Sequence, residues 1–521
     1  MRSIDAATLR GWIEDGSELA ILDAREEGEF GTGHLFWAVP CPLSRCEIRA
    51  PALLPRLGTR IVCVDDGRGL AERLAAWLEA AGAADVHVLG GGIATWAAAG
   101  FVLFTGVNVP SKAFGEWVEH HYGTESVDAA ELKGWLDAGR DMVVLDSRPL
   151  DEFRRMSIPG AINVPGGELA YRIGDIAPDP ETLVVVNCAG RTRSIMGAES
   201  LRRAGVPNRV VALRNGTMGW QLAGFEPDRG RTERFAPGRP GSAALALTRA
   251  TAFAAEAGVT VIGADALAAF AADPARTLYM LDVRDPAEFA AAHHPGSISA
   301  PGGQLVQATD QWVAVRGARI ALLDDDGVRA RMAAAWLRLM GHRDVFVVKG
   351  APMLPPRPAA AAMPEPEAVP AITPAALAAT PDAVVVDLAR SIDFRDGHVP
   401  GALWGIRTRL AALADALAEA SLVVVTAPVA RLAQLAVPEL RALTSADIRV
   451  LEGGTAAWGA QFPLERDRTV PADADCVDFY LRPYDRNTGI AEAMHAYLSW
   501  EIDLVHEIAR DGTVRFGAGH A

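Results

Sequence analysis

Residues 3–25, SIDAATLRGWIEDGSELAILDAR, return almost unchanged at 126–148 as SVDAAELKGWLDAGRDMVVLDSR. A chain that repeats a stretch of this length is built from copies of one unit, and finding that unit decides the fold before any single residue is weighed. Each stretch reads as a short helix followed by an apolar strand that ends in Asp-x-Arg. The same ending recurs in MLDVRDPAEF (280–289) and, as Asp-x-x-Arg, in VVDLARSIDF (385–394). A Pro-Gly element then follows: SIPGAINVP (157–165), HHPGSISAP (293–301), HVPGALWG (398–405) and a worn GHLFWAVP (33–40). Each copy next has a second apolar strand (RIVCV, TLVVVN, RIALL, SLVVV), a turn with an amphipathic helix, and a third strand (DVHVLGGG, RVVALRNG, DVFVVKG, DIRVLEGG). In three copies a tryptophan comes shortly after: Trp96, Trp220 and Trp458.

Strands alternating with helices predict βαβ units and a parallel sheet buried on both faces, which the β-branched runs fit. Each repeat is roughly a hundred residues long, a complete domain and not a solenoid unit. The copies fall at 1–106, 107–229, 243–354 and 375–470. Two segments read as linkers: RGRTERFAPGRPGS (229–242) and a Pro/Ala-rich stretch at 355–374. The remainder, 471–521, is not a fifth copy; AEAMHAYLSWEIDLVHEIAR has helical apolar spacing and predicts a C-terminal helix packed on a neighbour.

The most informative stretch is VVVNCAGRTRS, 184–194. In an open parallel sheet, ligands bind beyond the carboxyl ends of the strands, and Cys188 ends one. The turn leads straight into a helix, so backbone N–H groups and the positive helix end converge near the sulfur. Gly190 permits a tight turn, and Arg191 and Arg193 add positive charge. All of this favours thiolate over thiol and makes Cys188 a nucleophile in a cradle that also suits an anion. The overall charge of −15 makes this a local basic exception, and argues against nucleic acid or anionic membrane as partners. The other cysteines (Cys41, Cys46, Cys63 and Cys476) show no metal-ligand spacing and read as incidental, Cys63 facing the core of its strand. Few cysteines, no apolar leader and no bilayer-length apolar run lead to the expectation of a reduced, cytoplasmic protein.

These motifs resemble the rhodanese family of sulfurtransferases. LDSRPLDEF, SIPGAINVP, VVVNCAGRTRS and LRNGTMGW, all in the second copy, carry the resemblance. It implies an α/β fold of four tandem rhodanese-like domains, each a mainly parallel β-sheet flanked by helices, plus a C-terminal helical tail. It implies further that Cys188 carries a persulfide and that Ala189, Gly190, Arg191, Thr192 and Arg193 form the substrate-binding loop. Asp146 and Arg148 match a bracing motif; Thr192 and Ser194 hydrogen-bond to the sulfur or cap the helix, with capping the expectation for Ser194. The implied reaction is ping-pong. Cys188 takes the outer sulfur of a small anionic donor such as thiosulfate, with Arg191 and Arg193 holding its sulfonate end, and passes it to cyanide, a thiol or a protein acceptor. No metal or organic cofactor is called for. Tyr171 and Arg172 are further candidates for the same mouth.

The other copies depart at the decisive position. Counting back from the helix-ending glycine places Asp65 and Asp324 opposite Cys188, and Thr426 or Ala427 in the fourth copy. None can hold a persulfide, so these three copies are expected to be inactive as sulfurtransferases. Two other activities suit a reactive cysteine here. Phosphatases and arsenate reductases of the same fold use Cys-x5-Arg, whereas Cys188 to Arg193 is Cys-x4-Arg, a loop better sized for a sulfur atom. A redox-sensing or protein-binding scaffold is the other. The short segment between the second and third copies also raises the idea that a neighbouring copy covers the Cys188 mouth.

Overall fold

The computed structural model describes residues 2–350 and 366–517. Among the described residues there are four sheets, one per copy, and each has five parallel strands in the order first, fifth, fourth, second, third. In the second copy these are Ser126–Val127, Val210–Leu213, Leu183–Asn187, Met142–Asp146 and Ile162–Asn163. The twin opening sequences fold alike because each supplies the same cap. Asp5 accepts the N–H of Thr8 at 2.8 Å and Asp128 that of Glu131 at 2.9 Å, so helices start at Ala6 and Ala129. Trp96, Trp220 and Trp458 all lie buried after the last strand, their indole N–H groups donating to the carbonyls of Val102, Glu226 and Pro463.

The copies share a core. One apolar cluster runs through the first three, from Leu22 and Cys63 through Tyr171 and Ile195 to Ala250 and Trp336, while the fourth keeps a cluster of its own against Ile48. The third copy also lends backbone to the first. Val315–Arg316 pairs antiparallel with Leu19 and Ala20, and the Tyr279 hydroxyl bridges the Leu53 carbonyl (2.5 Å) and the N–H groups of Ala314 and Val315. Two helices that precede the first strand of their copies make these junctions. Val109–Tyr122 opens the second copy and Ala243–Glu256 opens the third. The C-terminal helix, Ile490–Asp511, packs along Val109–Tyr122, as the apolar spacing predicts.

The described parts of both expected linkers are packed against the copies. In 229–242, Arg234 bridges to Asn163, Phe235 is buried, and the Arg172 guanidinium donates to the carbonyls of Ala236 and Gly238. The 355–374 segment falls partly outside the described residues; its last part holds the strand Ala371–Ile372, which pairs with Val450 and Leu451, and the first residue of the helix Pro374–Ala378. The fourth copy therefore begins before 375, since a Pro-rich composition does not stop two residues from completing a sheet edge.

Candidate functional site

Leu183–Asn187 is the middle strand of its sheet and is fully buried, so the next residue is delivered to the centre of the carboxyl edge. That residue is Cys188. Its carbonyl accepts both the N–H (2.8 Å) and the Oγ1 hydroxyl (2.8 Å) of Thr217, and Ala189 accepts from Met218 at 2.9 Å. These bonds hold the start of the loop against the turn after the last strand. Gly216, with φ of 54°, makes the approach possible, because a Cβ there would run into the Cys188 carbonyl. The helix Thr192–Arg203 starts four residues after the cysteine; the N–H groups of Ser194 (3.0 Å) and Ile195 (3.1 Å) donate to the Arg191 carbonyl, which leaves those of Thr192 and Arg193 without an acceptor in the helix. Ser194 sits inside that turn and not at its cap. Its hydroxyl donates to the Cys188 sulfur at 3.1 Å. The capping expectation is thus corrected: the helix begins two residues earlier than SIMGAESLRR suggested, which turns the hydroxyl toward the sulfur.

Below the loop, Arg148 and Asp146 form a fully buried bidentate pair (2.8 and 2.7 Å), and Arg148 also donates to the Met156 carbonyl at 2.6 Å. Asn187 completes the brace by donating to Asp146 at 2.9 Å. Neither Asp146 nor Arg148 reaches the cavity above. The two loop arginines are held by carboxylates. Arg191 grips Glu116 through Nε (2.8 Å) and Nη2 (2.7 Å) and also meets Glu119; Arg193 grips Glu152 at 2.9 and 2.8 Å. Burial alone would raise the Glu152 carboxyl, but the guanidiniums of Arg193, Arg482 and Arg148 prevail and hold it at about 2.

The loop floors a cavity of about 140 Å³ lined by Cys188 through Arg193. Its walls come from elsewhere in the chain: Lys112 of the helix Val109–Tyr122 and Asn108 just before it, Gln304 and Gln307 of the third copy, and Arg482, Tyr484, Tyr497 and Glu501 of the tail. A neighbouring copy does cover part of the mouth, and the tail covers more. These wall residues were missed in the sequence; the only signal for them was that DFYLRPYDR, rich in aromatic and basic residues, matched no repeat. Tyr171 and Arg172 do not line the cavity. Arg172 pairs with Glu168 at 2.7 Å, and Tyr171 lies buried beneath the Arg329 guanidinium at the junction with the third copy. Gly190 is not among the positive-φ glycines, so its role differs from the expected one. A Cβ there would lie 2.9 Å from Met218 Cε, 3.2 Å from Glu501 Oε2 and 3.3 Å from Tyr497 Cε1. Gly190 leaves room for the tail.

The sister loops explain what the cradle accepts. In the first copy, Asp65 takes the N–H groups of Gly67 (2.8 Å), Leu70 (2.7 Å) and Ala71 (3.3 Å). In the third, Asp324 takes those of Gly327 (2.9 Å) and Ala330 (3.0 Å). In both loops a carboxyl group at the position of Cys188 therefore closes the amide set, although burial and Asp326 push Asp324 up to about 7. In the fourth copy the strand Leu422–Thr426 pairs Thr426 with Asp387, as Asn187 pairs with Asp146. Ala427 is thus the counterpart of Cys188. Its copy also lacks the arginine brace: Ala389 stands in that place, and Thr455 donates to Asp387 instead, at 3.0 Å. The remaining cysteines are buried. Burial pushes Cys41 up to about 12 and raises Cys46, Cys63 and Cys476 as well, so none is a ready thiolate.

The rhodanese-like domain family matches residues 5–99, 128–223 and 264–351, more than half of the chain. The chain belongs to the rhodanese family. The crystal structure of thiosulfate sulfurtransferase from Pseudomonas aeruginosa superposes with a TM-score of 0.91, is 44% identical, and covers 99% of each chain. SseB of Mycobacterium tuberculosis, a provisionally named thiosulfate sulfurtransferase, is 30% identical over 203 residues, covering 32% of this chain and 71% of that protein. A helix–turn–helix transcriptional regulator from the same organism is 35% identical over 107 residues, 20% of this chain. The chain spans about half of that regulator's length, 46%.

Proposed function

We propose that this rhodanese is a thiosulfate sulfurtransferase with one working site, the Cys188 loop of the second copy. The observation that carries the reading is the position of Cys188. It is the one of the four equivalent strand-end residues able to hold sulfur, and it sits under a cavity with the Ser194 hydroxyl on its sulfur and a helix N-terminus beside it. The end-to-end likeness to the Pseudomonas sulfurtransferase supports the same choice.

In this reading the Cys188 thiolate attacks the outer sulfur of thiosulfate. The S–S bond of the donor breaks, sulfite leaves with the electron pair, and Cys188 retains an S–S− group. The N–H groups of Thr192 and Arg193 and the Ser194 hydroxyl stabilise the charge, as the loop N–H groups of the first copy close on Asp65. Arg191 and Arg193 act through their charge and by fixing the loop, since carboxylates hold both guanidiniums. An acceptor then attacks the outer sulfur, and Cys188 leaves as the thiolate. Residues 189–193 are the substrate-binding loop, and Asp146, Arg148 and Ser194 support it.

The test is thiocyanate formation from thiosulfate and cyanide by the full chain, with Cys188→Ser beside it. Turnover that requires Cys188 supports the reading. No turnover with thiosulfate or 3-mercaptopyruvate, together with release of phosphate from an aryl phosphate, would replace it with the phosphatase reading.

A further inference from the structure

One carboxylate in the Cys188 cavity has no use for an anionic sulfur donor. Glu501, from the C-terminal helix, is 1% exposed. Its two oxygens are in opposite situations. Oε1 accepts from Lys112 Nζ (2.9 Å), the Tyr497 hydroxyl (3.1 Å) and Thr192 Oγ1 (3.3 Å). Oε2 is buried and accepts from nothing among the described residues. It points over the loop, since a Cβ on Gly190 would lie 3.2 Å from it, and Gly190 is two residues from Cys188 in the same cavity. A buried acceptor left without a donor is costly, and such groups in native proteins call for an explanation. Thiosulfate and the sulfite dianion have no hydrogen to donate, so neither satisfies Oε2. The second substrate can.

Resting on the sulfurtransferase reading, we propose that Glu501 Oε2 is the general base that takes the proton of a thiol acceptor as its sulfur attacks the Cys188 persulfide. The thiol RS–H bond breaks and its proton moves to Oε2. The thiol sulfur bonds to the outer sulfur, the bond between that sulfur and Cys188 breaks, and the electron pair returns to Cys188. RSH, Cys188–S–S− and a carboxylate thus become RS–S−, the Cys188 thiolate and a carboxylic acid that loses its proton to water. No oxidant or reductant is needed. Lys112, Tyr497 and Thr192 fix the carboxylate by its other oxygen, so the free oxygen is aimed without being occupied. The charged and titratable groups facing Glu501 are the Lys112 ammonium, the Arg191 guanidinium, the Glu116 carboxylate and the phenols of Tyr480 and Tyr497. The physiological acceptor is then a protonated thiol that enters between the tail and the loop.

The experiment loads the full-length protein with thiosulfate, removes excess donor, and follows loss of the bound sulfur by intact mass. Dithiothreitol is one acceptor. Sulfite is the other, at a pH where it is the dianion and has no proton to lose. In Glu501→Gln the ratio of thiol to sulfite discharge rates falls by about 100-fold or more, the scale of a lost general base. Its thiol rate also climbs with pH in step with the thiolate fraction, while that of the wild type is flatter. Glu501→Asp, which keeps the carboxylate beside Lys112, restores part of the ratio and provides the result if the glutamine variant does not fold. An unchanged ratio in both variants overturns the proposal and leaves the sulfurtransferase reading intact. A wild-type protein that never gains sulfur overturns both.

Discussion

Gly190→Ala separates a glycine needed for backbone freedom from one needed for space. Its φ is ordinary, so alanine adopts the same backbone without strain. The added methyl instead meets Met218 Cε at 2.9 Å, Glu501 Oε2 at 3.2 Å and Tyr497 Cε1 at 3.3 Å. Carbon–carbon contacts are optimal at about 3.5–4.0 Å, so two elements must separate by several tenths of an ångström. Overpacking of this kind costs about 1–3 kcal/mol. Two of the three atoms belong to the tail helix, which also packs Met494 and Leu498 on Ala189 and Met218. The cost therefore falls on docking of Ile490–Asp511. At about 1.4 kcal/mol per tenfold, the undocked population rises roughly 5- to 140-fold. Amide hydrogen exchange along that helix reads this directly, because exchange from a locally opened state tracks its population. Met218→Ala in the Gly190→Ala background frees the nearest contact, and the pair should couple by more than about 0.5 kcal/mol. Unchanged exchange in the tail of Gly190→Ala would refute the reasoning and return Gly190 to a turn residue.

Three further outcomes follow from the site. Ser194→Ala removes a hydrogen bond to the sulfur, worth about 1.5–3 kcal/mol for a charged partner, so single-turnover sulfur loading from thiosulfate slows about 10- to 140-fold. Arg148→Ala leaves Asp146 buried and unpaired and destabilises the second copy by about 3–5 kcal/mol, read from urea unfolding. The folded-state value of Glu152, about 2, lies below its ordinary 4.5, so its stabilisation is complete above about pH 4.5 and is lost as pH falls toward 2. Glu152→Gln should therefore cost about 3 kcal/mol at neutral pH, with the difference from wild type shrinking through that window.

What could be read from the sequence was what local chemistry dictates. The repeated stretch fixes its own caps at Asp5 and Asp128, the β-branched runs form the sheets, and Cys188 falls at a strand end because a buried run stops there. The Asp-x-Arg pair could be read for the same reason: its partners are two residues apart. The cavity walls could not. Thr192 meets Glu501 across 309 residues and Arg193 meets Gln304 across 111, contacts set by how the copies and the tail dock. Gly190 was read as a turn glycine because a sequence shows conformational freedom but not the neighbour that fills the space. Arg191 reads as free charge because Glu116 and Glu119 sit on a helix ahead of the repeated motifs, more than 70 residues away. Choosing between Thr426 and Ala427 needed the strand register, which no motif in that worn copy supplies.

The central claim, one sulfur-carrying loop among four, is tested most directly by intact mass and peptide mapping after thiosulfate treatment, with cyanide added afterwards. The account predicts a gain of one sulfur atom, located on Cys188, lost on adding cyanide and absent in Cys188→Ser. Sulfur found on Cys41, Cys46, Cys63 or Cys476, or a gain that survives Cys188→Ser, would contradict it.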